Sequence, residues 1–225
     1  MPVIATPWNT IVSTSAAPTT RTSTSAPLPA DVYLSVTMAL TTGLGAGTVT
    51  VTDSAGGAWT QIESNQTQVN VRTFWRTTRS TGHSTFTITV TTATGSIMYL
   101  VGTYFTGASG ARSALTTGTA IGSFPNVTTA AATQADDLYF QQVRYQPSPN
   151  ALATFTPASG WTVGGTANAA SGSRVTSVAR RLATSATTTT TGVGTSSGAV
   201  GDMSISTFVV YASQKVFTGW GIPLV

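Results

Sequence analysis

The sequence predicts an all-β protein made of two similar β-sandwich units in tandem, of the jelly-roll or immunoglobulin-like type. Apolar side chains recur at every second position in several segments, which is the period of a half-buried strand. Turn residues separate these segments, and helical periodicity is nearly absent. The same order of segments also occurs twice, with Trp59 and Trp161 at matching places 102 positions apart. A period of this length corresponds to one whole β-domain, which indicates an internal duplication.

The first unit is predicted over residues 31–110. Val32 and Leu34 begin a run in which apolar and polar residues alternate, as in a half-buried strand. A glycine-rich turn before Trp59 and an arginine-bearing strand follow. Residues 97–105 are almost continuously apolar, which is typical of a central strand covered on both faces.

The second unit is predicted over residues 136–213, after a linker of residues 111–135. Its segments repeat the order of the first unit, but the run Thr187–Thr191 replaces an apolar alternation by β-branched hydroxyl residues. Threonine suits a strand surface but buries less apolar area. The sequence leaves open whether the units stay two domains or merge into one larger sandwich.

Both ends of the sequence lie outside the two predicted units. Residues 1–30 contain scattered prolines, which remove amide donors and fix φ, so they are predicted to form an extended N-terminal arm. Residues 214–225 are apolar and contain Gly and Pro, which predicts a C-terminal tail that anchors the protein in its own groove or a neighbour's. The predicted assembly contacts are Phe217, Trp220, Ile222, Leu224 and Trp8.

The composition favours association and excludes several kinds of partner. Charged residues make up 7% of the chain, against about 25% in ordinary soluble proteins, so little charge opposes self-association. The net charge of +4 is dispersed, without the basic run expected of a nucleic-acid-binding protein. No apolar stretch approaches the roughly 18 residues of a membrane span, so no membrane insertion is expected. The absence of cysteine excludes disulfides and thiolate metal sites.

The sequence predicts no catalytic, cofactor-binding or metal-binding residue. Catalysis commonly needs titratable groups close together, and the single histidine, His83, follows a glycine in a predicted turn. The acids are dispersed, and the adjacent Asp136 and Asp137 would point to opposite faces of a strand. Asp31 holds the matching place in the first unit, which indicates a turn or strand-entry role. No calcium-loop spacing accompanies these residues.

Trp59 and Trp161 each follow a glycine-containing turn and leave two interpretations open. A tryptophan after a tight turn commonly anchors a strand to the core. An exposed ring on a sandwich could instead stack on a sugar, which would indicate a module that binds a host surface glycan.

Four motifs in the first unit are Asp-Ser-Ala-Gly-Gly-Ala-Trp-Thr (53–60), Phe-Trp (74–75), Ser-Thr-Phe-Thr-Ile-Thr-Val (84–90) and Tyr-Leu-Val-Gly-Thr-Tyr-Phe-Thr-Gly (99–107). Together with Pro-Ala-Ser-Gly-Trp-Thr (157–162), they resemble β-sandwich modules that are common in structural proteins of tailed bacteriophages. The segment Gly-Trp-Gly-Ile-Pro-Leu (219–224) is similar to the ends of minor tail proteins of phages that infect actinobacteria. The resemblance covers about residues 30–225 and implies a virion component that is not an enzyme.

These observations lead to one functional hypothesis with two alternatives. We expect a structural protein of a tailed-phage virion, on the tail in preference to the capsid, made in the host cytoplasm. It would contact other virion proteins and copies of itself through its termini. The alternatives are a capsid decoration protein and, in another class, a carbohydrate-binding host-adhesion module.

Overall fold

The structure, a computed structural model, describes residues 1–12, 19–40, 47–65, 70–93, 97–121, 124–147, 154–168, 175–186, 189–192, 194–196 and 200–214. In these residues the chain forms twenty β-strands and no helix. The first ten are β1 Ile4–Val12, β2 Thr20–Thr22, β3 Ala26–Ala30, β4 Tyr33–Leu40, β5 Val49–Asp53, β6 Trp59–Asn65, β7 Asn70–Arg76, β8 Thr81–Phe86, β9 Ile88–Thr92 and β10 Met98–Thr106. The second ten are β11 Ala108–Arg112, β12 Thr116–Ile121, β13 Val127–Thr128, β14 Leu138–Pro147, β15 Phe155–Pro157, β16 Thr162–Asn168, β17 Val175–Leu182, β18 Thr191–Gly192, β19 Gly194–Ser196 and β20 Val200–Ala212.

The two halves of the chain have the same strand order. The first principal sheet runs β1-β10-β4-β7-β6 and the second runs β11-β20-β14-β17-β16, so corresponding strands differ by ten in number. The smaller pairs β3–β8 and β5–β9 correspond in the same way to β13–β18 and β15–β19. One strand departs from the pattern, because β2 joins the small sheet of β5 and β9 whereas β12 pairs with β20. The all-β prediction is confirmed, whereas a duplication as the origin of this order stays a prediction.

Local irregularities also recur at corresponding places. The edge strands β6 and β16 each contain a register shift, between Gln61 and Glu63 and between Val163 and Gly165. Asp31 and Asp136, which lie just before β4 and β14, both have a positive φ, of 58° and 81°. Aspartate tolerates this left-handed conformation better than most residues, so both acids serve the turn that enters a central strand.

The strands form four layers, because the two principal sheets pack face to face and each carries its small sheets on the opposite face. The alternation of β4 explains the arrangement of the first half. Leu34, Val36 and Met38 point into the outer core against the small sheets, whereas Tyr33 packs against the core between the principal sheets. In β14, Tyr139 lies in the other outer core.

An aromatic cluster fills one part of the central layer. Trp75 and Phe105 come from the first sheet, and Phe140 and Phe208 come from the second. Their ring centroids lie between 5.1 and 6.2 Å apart in edge-to-face and tilted pairs, which are favourable geometries for aromatic rings. The two halves therefore share one continuous core, in agreement with a merged arrangement of the two predicted units.

The predicted N-terminal arm of residues 1–30 is wrong as an element outside the first unit. This segment supplies β1, β2 and β3, and β1 is an edge strand of the first principal sheet. Its prolines fit there, since proline is tolerated at sheet edges and bulges. Pro7 sits at the register shift of β1, and Pro27 and Pro29 lie exposed on β3.

The predicted linker of residues 111–135 is likewise part of the second half, because it contributes the last two residues of β11 and all of β12 and β13. The halves meet instead at Gly107, the single residue between β10 and β11. Gly107 has a φ of 71°, and a β-carbon there would lie 2.6 Å from the carbonyl oxygen of Pro2. Only glycine combines this conformation with so close a backbone approach.

Residues 215–225, which include four of the predicted assembly contacts, lie outside the described residues. The described part of the chain contains no helix with the length and apolarity to cross a membrane.

Candidate functional site

The titratable side chains of the described residues are dispersed. No group of three or more His, Cys, Asp or Glu that could hold a metal ion occurs in this part of the chain. His83 lies in β8 opposite Leu28, and its ring centroid is 5.6 Å from that of Phe86. The predicted turn around His83 is therefore a strand, and the imidazole packs on a core phenylalanine.

Asp53 organises the turn that precedes Trp59. Its Oδ1 accepts backbone hydrogen bonds from Ala55 (2.9 Å) and Gly57 (3.1 Å). Its Oδ2 accepts from the Trp59 indole and from Arg76 Nε, both at 2.8 Å. Burial by itself raises the pKa of Asp53, but the hydrogen bonds from Arg76, Gly57 and Trp59 and the Arg76 charge outweigh it, so the pKa lies below its ordinary value. This carboxylate has a structural role.

Asp137 fixes the end of β20. Its buried Oδ2 accepts hydrogen bonds from the amide of Thr133 at 2.7 Å and from the hydroxyl of Thr133 at 2.8 Å. Its Oδ1 accepts from the amide of Ala212 at 2.8 Å, and Gln134 Nε2 donates to the carbonyl oxygen of Ala212 at 3.1 Å. The last residue of the final strand is thus held at the entry to β14.

A buried polar network links the two principal sheets beside the aromatic cluster. Arg144 Nη2 of β14 donates to Glu63 Oε1 of β6 at 2.5 Å. Glu63 Oε2 accepts hydrogen bonds from the hydroxyls of Thr73 (2.8 Å) and Ser206 (3.0 Å). Arg144 Nη1 also lies 3.3 Å from Gln142 Oε1. Every member is buried, so these residues connect the halves and are closed to solvent.

The charge state of this network follows from its geometry. Burial lowers the pKa of Arg144, while the charge of Glu63 and its hydrogen bond oppose that shift. Arginine stays protonated even in such surroundings, so the pair is ionic. This closed ion pair offers no position for a substrate, and it links the two principal sheets.

One open concavity lies at the seam between the halves, where the edge strands β1 and β16 pack together. We call it the seam groove; its volume is about 280 Å³. Gly165 of β16 faces both β1 and β10, because a β-carbon there would lie 3.5 Å from Pro7 Cβ and 3.3 Å from Val101 Cγ1. Its lining includes Pro2, Ile4, Leu138, Arg180, Arg181 and Leu182.

The seam groove combines exposed apolar and cationic side chains. Ile4 is 52% exposed and Leu182 is 44% exposed, and both are among the few large apolar residues that the described chain leaves in solvent. Arg180 and Arg181 stand beside them, and neither forms an ion pair with a described acid. Such a surface suits an apolar or aromatic segment of chain.

The structure places the sequence-predicted residues elsewhere. Trp8 lies partly buried against the first outer core, 5.4 Å from the Phe86 ring, and its indole donates to the carbonyl oxygen of Pro27 at 3.0 Å. Trp59 packs on the same core. Trp161 is only 7% exposed, inside the second outer core. Trp161 therefore occupies a core position, as the first of the two interpretations predicts, and its indole ring presents no open face to a sugar.

No protein-family model matches this sequence, and no curated protein matches it either.

Sequence reasoning missed both the polar network and the seam groove. The sequence did contain a signal for the polar network. Arg144 lies on the same strand face as Leu138 and Phe140, and an arginine on a face with such apolar residues indicates a buried charge. Ile4 and Leu182 gave no such signal, since each belongs to an ordinary strand. Only the packing of β1 on β16 brings them together.

Proposed function

We propose that this chain is a structural component, and not an enzyme, of a tailed-phage virion, where it acts as a minor tail protein. The main support is the union of two equivalent ten-strand halves into one four-layer body through a continuous central core. Such a body is a rigid spacer with a large surface. Within its described part, Asp53 serves a turn, Asp137 fixes a strand end, and the Glu63–Arg144 pair joins the two principal sheets.

The surface of the small three-stranded sheet β2-β9-β5 supports a role in association. Its exposed face carries two rows of threonines across three strands, and the rows are Thr20, Thr91, Thr50 and Thr22, Thr89, Thr52. Hydroxyls in the second row lie 2.9 Å apart, between Thr22 and Thr89. An uncharged hydroxyl surface has little electrostatic repulsion toward a neighbouring subunit.

In this proposal the partners are other virion proteins and further copies of the chain, and residues 214–225 supply apolar contacts. Trp8 is not included among the proposed assembly contacts, because it packs against the chain's own core. A capsid decoration protein would use the same kind of surface, so location in the particle separates the two roles.

Immunogold electron microscopy of purified particles tests the proposal. Antibody raised against the recombinant chain is expected to label the tails of the phage that encodes it. Particles grown from a phage with an amber codon in this gene serve as the matched control and should carry no gold. Label on the capsid shell would assign the decoration role, and intact particles without label would refute a virion function.

A further inference from the structure

We infer that residues 215–225 occupy the seam groove of their own chain. This goes beyond the virion role and does not depend on it, since it concerns the isolated chain. Three features carry the inference: the place where β20 ends, the length of the segment that follows, and the chemistry of the groove.

The end of β20 is fixed next to the groove. The amide of Ser213 donates to the carbonyl oxygen of Gly107 at 2.8 Å, one residue beyond the contacts that hold Ala212. Gly107 in turn lies directly against Pro2, which lines the groove. The amide of Val3 donates to the carbonyl oxygen of Asp136 at 2.9 Å, so this wall is tied to the second half. The chain therefore leaves its last strand beside the groove entrance.

The following segment is long enough to fill the groove. An extended chain spans at most about 3.3–3.6 Å per residue, so eleven residues can reach about 36 Å. Ser213 is hydrogen-bonded to Gly107, which lies against the groove residue Pro2, so the segment needs only a fraction of this reach. A short connection gives a high effective concentration, and even weak contacts then suffice for occupancy.

The chemistry of the segment matches that of the groove. Its sequence is Lys-Val-Phe-Thr-Gly-Trp-Gly-Ile-Pro-Leu-Val, with large apolar side chains and no acid. Ile222 and Leu224 match the exposed apolar surface of Ile4 and Leu182. A tryptophan ring is the best partner for a guanidinium, so Trp220 suits Arg180 and Arg181, which have no described acid as partner.

Occupancy by the same chain has a consequence for assembly. A neighbouring subunit could accept the segment only by exchange, with the same contacts formed between chains in place of within one. The segment would then be an anchor that is stored on its own subunit until partners are present.

Disulfide trapping in the full-length protein tests the inference. The chain contains no cysteine, so a pair of introduced cysteines reports one proximity without interference. Leu182→Cys is combined with Trp220→Cys, Ile222→Cys or Leu224→Cys, and each variant is oxidised at low protein concentration. The matched control replaces Leu182→Cys by Ile121→Cys, because Ile121 is 68% exposed and pairs with Asp202 near the beginning of β20, at the opposite end of that strand from Ser213. Circular dichroism and the melting temperature confirm folding of each reduced variant.

At least one pair with Leu182→Cys is expected to form an intramolecular disulfide about tenfold faster than the same tail cysteine with Ile121→Cys. Equal rates for the two partners, or no disulfide with any of the three tail positions, would overturn the inference. Disulfide-linked dimers whose yield rises with protein concentration would overturn it too, and would assign the groove to the tail of a second copy. That last outcome leaves the proposed virion function intact.

Discussion

Glu63 of β6 and Arg144 of β14 belong to different halves of the chain, yet they form a buried ion pair with 2.5 Å between Oε1 and Nη2. In the second half, Gly165 holds the place that corresponds to Glu63, and in the first half Ala39 holds the place that corresponds to Arg144. The ion pair therefore occurs only once in the two described halves. A buried pair contributes little net stability compared with apolar residues, but loss of one partner leaves an uncompensated charge. We therefore expect the pair mainly to select one packing of the two sheets.

Replacement of Arg144 by methionine should destabilise the protein strongly. Arg144→Met leaves the Glu63 carboxylate buried without its cation, and the expected loss in the free energy of unfolding is about 3–5 kcal/mol. Urea unfolding followed by tryptophan fluorescence measures the change.

The double variant Glu63→Gln/Arg144→Met is the control for this prediction. With both charges removed, most of the loss should be recovered, and a double-mutant cycle should give a coupling energy of about 1 kcal/mol or more. Additive effects of the two single substitutions would contradict the assignment of these residues as a pair.

The sequence was sufficient to predict the strands and their class because period-two alternation is a local property. The run that begins at Val32 became β4, and the matching place of Asp31 and Asp136 reflects a shared backbone conformation with positive φ. The bulges that follow Trp59 and Trp161 belong to the same repeated pattern.

The boundaries of the halves could not be predicted because they depend on pairing between distant segments. Proline-rich residues 1–30 read as an arm, whereas hydrogen bonding to β10, β9 and β8 makes them strands. The partner of Glu63 could not be predicted either. Arg144 is 81 positions away, and the two residues meet only because the two sheets pack face to face. The seam groove arises from the same packing.

Acid should weaken the turn that Asp53 organises. The pKa of Asp53 is lowered in the folded state, so its contribution to stability is present above the unfolded value of 3.8 and is lost as the pH falls through the folded value. Asp53→Asn should cost about 1–3 kcal/mol at pH 7, because it removes charged hydrogen bonds, and the cost should shrink below about pH 4. Urea unfolding between pH 2.5 and 7, about the range in which carboxyls titrate, measures this.

The control for the acid prediction is Asp202→Asn, since Asp202 has no ion pair with a described residue. Its effect on stability at pH 7 should be small. A constant difference between Asp53→Asn and the parent across the acid range would show that the Asp53 charge does not stabilise the fold.

Gly107, the residue at which the two halves meet, should not tolerate a side chain. Gly107→Ala places a β-carbon 2.6 Å from the Pro2 carbonyl oxygen in addition to the strain of a positive φ, so the expected loss is about 3 kcal/mol or more. Gly56→Ala separates the two causes, because Gly56 has a φ of 67° and nothing within 4 Å of its β-carbon position. That variant should lose about 1 kcal/mol in thermal or urea unfolding. Equal losses of stability for Gly107→Ala and Gly56→Ala would show that the close approach to the Pro2 carbonyl oxygen is not a cause of the destabilisation.

Two neighbouring glutamines of β14 should respond to the same substitution with opposite signs. Gln141 points into the outer core, and both its amide atoms lack a hydrogen-bond partner within the described structure, as does the hydroxyl of Thr207 opposite it. The corresponding pair in the first half is Val36 opposite Gly102, which is entirely apolar. Gln141→Leu keeps the side-chain volume and removes the unpaired amide, so it should stabilise the protein by about 1–2 kcal/mol.

Gln142 points to the other face, where its Oε1 lies 2.8 Å from the Thr73 hydroxyl and 3.3 Å from Arg144 Nη1. Gln142→Leu removes an acceptor of the buried Arg144 guanidinium and should destabilise the protein by about 1–3 kcal/mol. Urea midpoints of both variants and the parent, compared at one pH, give the two signs directly. A loss of stability for Gln141→Leu as large as that for Gln142→Leu would mean that Gln141 has a partner, and that the first half is no guide to the core of the second.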